Sequence, residues 1–180
     1  MTSAAVPGDR LHHVVQGSFR VGTAPDEVLT TVLGSCVATC LTDPIAGVGG
    51  LNHFLLPGDG GARGGQATRY GLHAMELLIN ALLKRGAKLN RLEAKVFGGA
   101  NTTRSRFEIG SHNAEFALWF LENEGIALRS RDVGGVRARK LRYWPVSGRA
   151  QQMFLPAAAT RTERRGKPQS APEAGEPDLW

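Results

Sequence analysis

The stretch from Val28 to Leu56 limits what this chain can fold into more than any other. It is mostly β-branched, apolar or small, and it is broken by Gly34-Ser35 and by Asp43-Pro44. A run of that composition without helical periodicity reads as buried strand. Val28–Thr42 is accordingly expected as a buried strand interrupted at the glycine. Ser35 offers an alternative, as the cap of a short helix beginning near Cys36. Asp43-Pro44 turns the chain. Ala46–Leu56, closed by Pro57-Gly58, is expected as the antiparallel neighbour.

Two later segments carry helical spacing. Leu72, Met75, Ile79, Leu82 and Leu83, with Leu78 beside them, form one stripe over Tyr70–Arg85, and Gly86 is placed as its C-cap. A second helix is expected from Ser111, the N-cap candidate, to Asn123, with Ala114, Ala117, Leu118 and Leu121 inward and Gly125 as the stop. Leu11–Gly22, Leu92–Phe97 and Gln151–Leu155 read as strands. Ile126–Val133 and Val136–Tyr143 read as a hairpin joined at Gly134-Gly135. Strands separated by only two helices imply an α+β fold with a mixed or antiparallel β-sheet.

At 180 residues one domain is expected. From Ala157 the composition turns to Ala, Pro, Glu, Arg and Gly without apolar periodicity. The domain is therefore assigned to residues 1–156, with a disordered tail over 157–180. The net charge is +6, and the tail holds four basic and four acidic side chains, so the excess lies in the body. Its Lys and Arg are scattered and lack the aromatic signature of RNA binding, which argues against a nucleic-acid partner. Arg137, Arg139, Lys140 and Arg142 read as a solvated strand edge able to steer an acidic partner. No apolar run reaches the roughly 18 residues of a membrane span, and residues 1–20 carry no signal-peptide pattern. Two cysteines in such a chain fit the reducing cytoplasm. If Cys36 and Cys40 share a strand, their Cα atoms stand about 13 Å apart, at roughly 3.3 Å per residue, too far for a disulfide.

The chemistry gathers at Leu33-Gly34-Ser35-Cys36 and Leu51-Asn52-His53-Phe54. A thiol just after a glycine-serine turn and a histidine on the next apolar segment are the parts of a thiol nucleophile and its base. A histidine in that role needs a third group to fix its tautomer, and Thr30, Thr31, Asn52 and Asp43 are the candidates nearby. The Gly34-Ser35 turn could expose backbone N–H groups to an oxyanion. The same residues also allow plain core packing, since cysteine is commonly a small buried hydrophobe. Cys36, Cys40 and His53 could alternatively supply three zinc ligands, though no CxxC pair accompanies them. His12 and His13 read as surface or strand-end residues, and Gly58–Gly65 as a mobile edge of the substrate groove or simply a surface loop. Phe97-Gly98-Gly99-Ala100 could bring backbone close to the catalytic strands.

Thr30-Thr31-Val32-Leu33-Gly34-Ser35-Cys36-Val37-Ala38, Asp43-Pro44 and Gly49-Gly50-Leu51-Asn52-His53-Phe54-Leu55-Leu56-Pro57 together resemble the signature of the CheD family, the chemoreceptor glutamine deamidases. Arg69-Tyr70-Gly71, Ala94-Lys95-Val96-Phe97-Gly98-Gly99-Ala100, Ile109-Gly110, Asn113, Glu124-Gly125-Ile126, Asp132-Val133-Gly134-Gly135 and Ser147-Gly148 extend the resemblance over roughly residues 15 to 155. His112 and Thr102 depart from it, where Arg and Met are more usual; both could affect partner binding.

The resemblance implies an α/β sandwich similar to deamidase toxins of the cytotoxic necrotizing factor type. It implies a cysteine-dependent hydrolase that converts glutamines of chemoreceptors (methyl-accepting chemotaxis proteins) to glutamate without a cofactor, with glutamyl methylesterase activity in some members. It places the nucleophile at Cys36, the base at His53 and the orienting threonine at Thr30, six residues before the cysteine. It also implies the chemotaxis phosphatase CheC as a binding partner. A non-catalytic interaction protein acting on CheC is the alternative, against which the intact Cys36 and His53 argue.

Overall fold

The computed structural model describes residues 8–57, 65–102 and 108–156. In it the buried run is three strands divided between two sheets. The strands are β1 (Arg10–His13), β2 (Phe19–Gly22), β3 (Glu27–Leu33), β4 (Val37–Asp43), β5 (Val48–Phe54), β6 (Glu93–Gly98), β7 (Ala127–Val133), β8 (Arg139–Trp144) and β9 (Arg149–Phe154). The helices are α1 (Gly65–Leu83) and α2 (Ile109–Asn123). One sheet has the order β1-β3-β8-β9 and the other β2-β5-β4-β6-β7. Both are mixed, because β1 runs parallel to β3 and β7 parallel to β6 while the other pairs are antiparallel.

Three layers follow from the two-residue period of the central strands. Val37 and Leu41 of β4, Val48 and Phe54 of β5, and Ala94 and Val96 of β6 pack on Met75, Leu78 and Leu82 of α1 and Ala117 and Leu121 of α2. The other face, with Ala38, Cys40, Leu51 and Phe97, packs on Leu29, Leu33, Leu141 and Tyr143 of the four-stranded sheet. Every residue of β4 and β5 is therefore buried. A strand covered on both faces needs no polar alternation, which is why this stretch reads as continuous apolar sequence.

The α+β class and the β4–β5 antiparallel pair agree with the sequence expectation. Two connections differ. Val28–Thr42 is not one interrupted strand: β3 and β4 lie in different sheets, and Gly34-Ser35 is the crossing between layers. Nor is there a hairpin at Gly134-Gly135. There β7 stays with β6 while β8 joins β3 in the other sheet. Alternating strands either side of a glycine pair look alike in sequence whether they pair with each other or part.

Helix α1 ends as expected, with Gly86 N–H donating to Leu83 O at 3.1 Å and Ala87 N–H to Leu82 O at 3.2 Å. Helix α2 starts two residues before Ser111, and its cap comes from outside the helix. Asn101 Oδ1 accepts from Gly110 N–H at 3.0 Å, and Asn101 Nδ2 donates to Ser111 Oγ at 3.0 Å. The Arg137–Arg142 segment is not a strand edge either, since β8 lies between β3 and β9. Arg139 is buried, donating to Asp132 Oδ1 at 2.6 Å and to the Gly134 carbonyl. The Gly58–Gly65 loop, apart from Gly65, and the tail from residue 157 lie outside the described residues. Among those residues no helix is long and apolar enough to cross a membrane.

Candidate active site

Strand register brings the thiol and the imidazole to one end of the layer between the sheets. His53 lies opposite Ala38. Cys36, two residues before Ala38 and just ahead of the ladder, packs with Ala38 against the inter-sheet cluster. Cys36 and His53 are thus diagonal neighbours on one face, a relation that spans about 7–8 Å between Cα atoms. Cys40 continues the same face deeper in, fully buried, and burial pushes its thiol up far beyond the ordinary range. Cys36 is only half-buried, and no disulfide joins the two. Among the described residues, no three His, Cys, Asp or Glu side chains gather as metal ligands.

The hydroxyl that meets the imidazole belongs to Thr31. Its Oγ1 is 2.8 Å from His53 Nδ1 and donates to Val14 O at 2.7 Å. The Thr31 proton is committed to Val14, so Oγ1 must accept from Nδ1–H. Val14 O also lies 3.3 Å from Nδ1, and a carbonyl cannot donate, which gives the same tautomer. Nε2 then carries the lone pair. It is buried and meets no hydrogen-bond partner among the described residues. Burial, the largest influence, holds the imidazole below its usual range; the charge of nearby His13 lowers it further and the Val14 hydrogen bond opposes both. The resting ring is a neutral base.

Thr30, expected in this role, is placed elsewhere. Its hydroxyl donates to Leu141 O at 2.9 Å, because neighbouring residues of a strand face opposite ways. Asn52 also faces away, its Oδ1 accepting from Thr39 N–H at 3.0 Å and its Nδ2 donating to Ala74 O at 3.3 Å on the helix side. Asp43 sits at the far end of β4, where it accepts from the backbone of Ile45, Ala46 and Lys88 and pairs with Arg91 at 2.7 Å.

The crossing at Gly34–Cys36 is held from behind through each of its carbonyls. Ala100 N–H donates to Gly34 O at 2.9 Å and Gly99 N–H to Cys36 O at 2.8 Å. Asn113 Nδ2 donates to Ser35 O at 2.8 Å, while its Oδ1 accepts from Leu56 N–H at 3.0 Å. Asn113 thereby ties the cysteine turn to the end of the histidine strand. Gly98, at φ 106°, lets the backbone approach so closely that a Cβ there would stand 2.3 Å from Cys36 O. That is the close approach expected of Phe97-Gly98-Gly99-Ala100.

Three participants were not assigned roles from sequence. Val14 acts through its carbonyl, which no side-chain pattern reveals. Asn113 is a polar residue on an otherwise apolar helix stripe, a legible oddity. Gln16, whose Oε1 lies 3.4 Å from Cys36 Sγ, stands before Gly17 in a turn-forming pair.

The family described as CheD chemotactic sensory transduction matches residues 55–153. An Agrobacterium fabrum protein named probable chemoreceptor glutamine deamidase CheD is 55% identical over 172 residues, covering 93% of this chain and 95% of that protein. Relatives of the same name are 58% identical over 83% of this chain and 82% of the protein in Rhizobium rhizogenes, and 50% identical over 93% and 90% in a Caulobacter species. Among solved structures, a Neisseria meningitidis protein is 10% identical with a TM-score of 0.46, covering 72% of this chain and 64% of that one.

Proposed function

Because the chain belongs to the CheD family, we propose that it deamidates glutamine side chains of chemoreceptors, with Cys36 as nucleophile, His53 as base and Thr31 as the residue that orients His53. The observation that carries this reading is the relay from His53 Nδ1–H to Thr31 to Val14 O, which leaves a basic Nε2 on the face that carries Cys36.

When a glutamine carboxamide enters, Nε2 takes the Sγ proton and the sulfur attacks the amide carbon. The carbonyl oxygen becomes an oxyanion. The Nε2–H proton then passes to the amide nitrogen, the C–N bond breaks, and ammonia leaves a glutamyl thioester on Cys36. Water attacks that thioester, giving its proton to Nε2. Collapse expels the Cys36 sulfur, which recovers the proton from His53, and glutamate is released. The overall change is amide plus water to acid plus ammonia, so no redox partner or cofactor enters. A glutamyl methyl ester fits the same sequence with methanol as the leaving group.

The neutral imidazole matters here. Cys36 and His53 need not rest as an ion pair; the proton moves as the substrate carbonyl arrives. The test is ammonia release from a receptor cytoplasmic fragment, with mass spectrometry of its glutamines. Cys36→Ala and His53→Ala should each abolish the gain of about one dalton per site that amide hydrolysis produces. Undiminished conversion in either variant would overturn the assignment.

A further inference from the structure

Gln16 places a carboxamide against the sulfur, and the chain around it is fixed with care. Val15–Ser18 is a tight turn in which Ser18 N–H donates to Val15 O at 3.1 Å and Ser18 Oγ to the same carbonyl at 2.6 Å. Gly17, at φ 83°, occupies its third position, where a type II turn needs a positive φ, and Gln16 the second. The turn is stitched to the backbone of the catalytic histidine itself. Gly17 N–H donates to His53 O at 2.7 Å, and His53 N–H donates to Ser18 O at 3.0 Å. Just upstream, Val14 O receives the Thr31 hydroxyl. Gln16 is therefore carried between two anchors on the His53 system, and its Oε1 reaches Cys36 Sγ at 3.4 Å.

We propose that Gln16 is a further catalytic residue, whose amide nitrogen donates a hydrogen bond to the substrate oxygen as it becomes negative. This rests on the deamidase reading above. In the resting enzyme the thiol proton points at Oε1, a normal acceptor. Once that proton has moved to His53, sulfur and substrate oxygen carry the developing negative charge, and Oε1 would face it with a partial negative charge of its own. Rotation of the amide about its last torsion exchanges Oε1 for Nε2–H, a donor of the same shape. The amide already stands at the sulfur, so this one torsion is the only movement needed to face a donor to the charge as it appears.

The test compares the full-length enzyme with Gln16→Ala and Gln16→Glu on a receptor fragment. The expected result is a fall in kcat of about 10²-fold or more in both, with KM changed little, the size associated with losing one oxyanion donor. Gln16→Glu should also slow alkylation of Cys36 by iodoacetamide at pH 7, because it adds a negative charge beside the sulfur. Melting temperature, read alongside, separates this from a folding defect. Wild-type kcat retained in Gln16→Ala would overturn the role of Gln16 and leave the deamidase reading standing. No ammonia release by the wild type would overturn the deamidase reading, and this one with it. A gain of about one dalton at residue 16 of the enzyme, absent in Cys36→Ala, would make Gln16 a substrate of its own cysteine and so overturn the donor role.

Discussion

Replacing Thr31 by valine removes the hydroxyl that fixes the imidazole and keeps the side chain's volume in the layer between the sheets. His53 Nδ1–H then loses its acceptor at 2.8 Å and keeps only Val14 O at 3.3 Å, and Val14 O loses the donor at 2.7 Å. Leaving a buried polar group short of its partner costs about 1–3 kcal/mol. If that cost falls on the reactive orientation of the ring, turnover drops roughly 5- to 150-fold, at about 1.4 kcal/mol per tenfold. Thr30→Val is the control one residue away. It removes a bond to Leu141 O on the other face and should cost about 1 kcal/mol of stability with turnover intact. Ammonia release per folded molecule, with folding followed by denaturant titration, separates the two. Thr31→Ser should restore most of the rate, since it keeps the hydroxyl. Full turnover in Thr31→Val, or a large loss confined to Thr30→Val, would refute the placement of the relay.

Four further outcomes follow from the same geometry. His53 binds its proton less tightly folded than unfolded, so the unfolded chain is favoured as acid is added; the stability this group contributes is full above about pH 6.5 and declines below it. His53→Gln should flatten that part of a plot of melting temperature against pH, and the wild-type rate should keep its base form to a pH below 6.5. Asn113→Asp turns the donor to Ser35 O into a second oxygen facing it, and should cost about 1–3 kcal/mol of stability and lower kcat by loosening the cysteine turn, as urea titration and ammonia release would show. Gly98→Ala sets a Cβ 2.3 Å from Cys36 O at a φ that L-residues avoid, and should cost at least about 1–3 kcal/mol, read by thermal melting. Alkylation of the native protein followed by peptide mapping should find Cys36 labelled and Cys40 untouched until unfolding, because Cys40 is fully buried.

What the sequence revealed and what it hid divide along one physical line. Local signals were legible: the stripe of α1 and its Gly86 stop, the β4–β5 antiparallel pair, and a thiol and an imidazole on neighbouring segments as the candidate pair. Pairing across long separations was not. Nothing local to residues 126–143 states that β7 will lie beside β6 and β8 beside β3. The buried Arg139 was hidden for the same reason, since its neutralising Asp132 and the neighbouring Gly134 carbonyl become reachable only after that parting of strands. Asn101 as the cap of α2 likewise depends on contacts with residues nine and ten positions on, which no local pattern announces.

The threonine shows how narrow the margin was. Thr30 and Thr31 have the same chemistry and adjacent numbers, and only strand parity separates them. Leu29 and Leu33 face the inter-sheet core, so Thr31, of the same parity, must face it too, and Thr30 must not. That inference was available from the apolar pattern of β3 alone, once the partner face was known to be the one carrying Ala38 and His53. The missing fact was the crossing at Gly34-Ser35. With Val28–Thr42 taken as one strand, Thr31 and Cys36 would belong to one sheet, and no hydroxyl would stand across from His53. Because the chain changes layers there, β3 lies opposite the histidine strand. The hydroxyl and the Val14 carbonyl then reach His53 from the facing sheet, and the Gln16 turn, paired with the His53 backbone, reaches Cys36 from the link between the sheets. The glycine-serine step builds this site by moving the chain between layers, and the exposure it gives the cysteine is secondary.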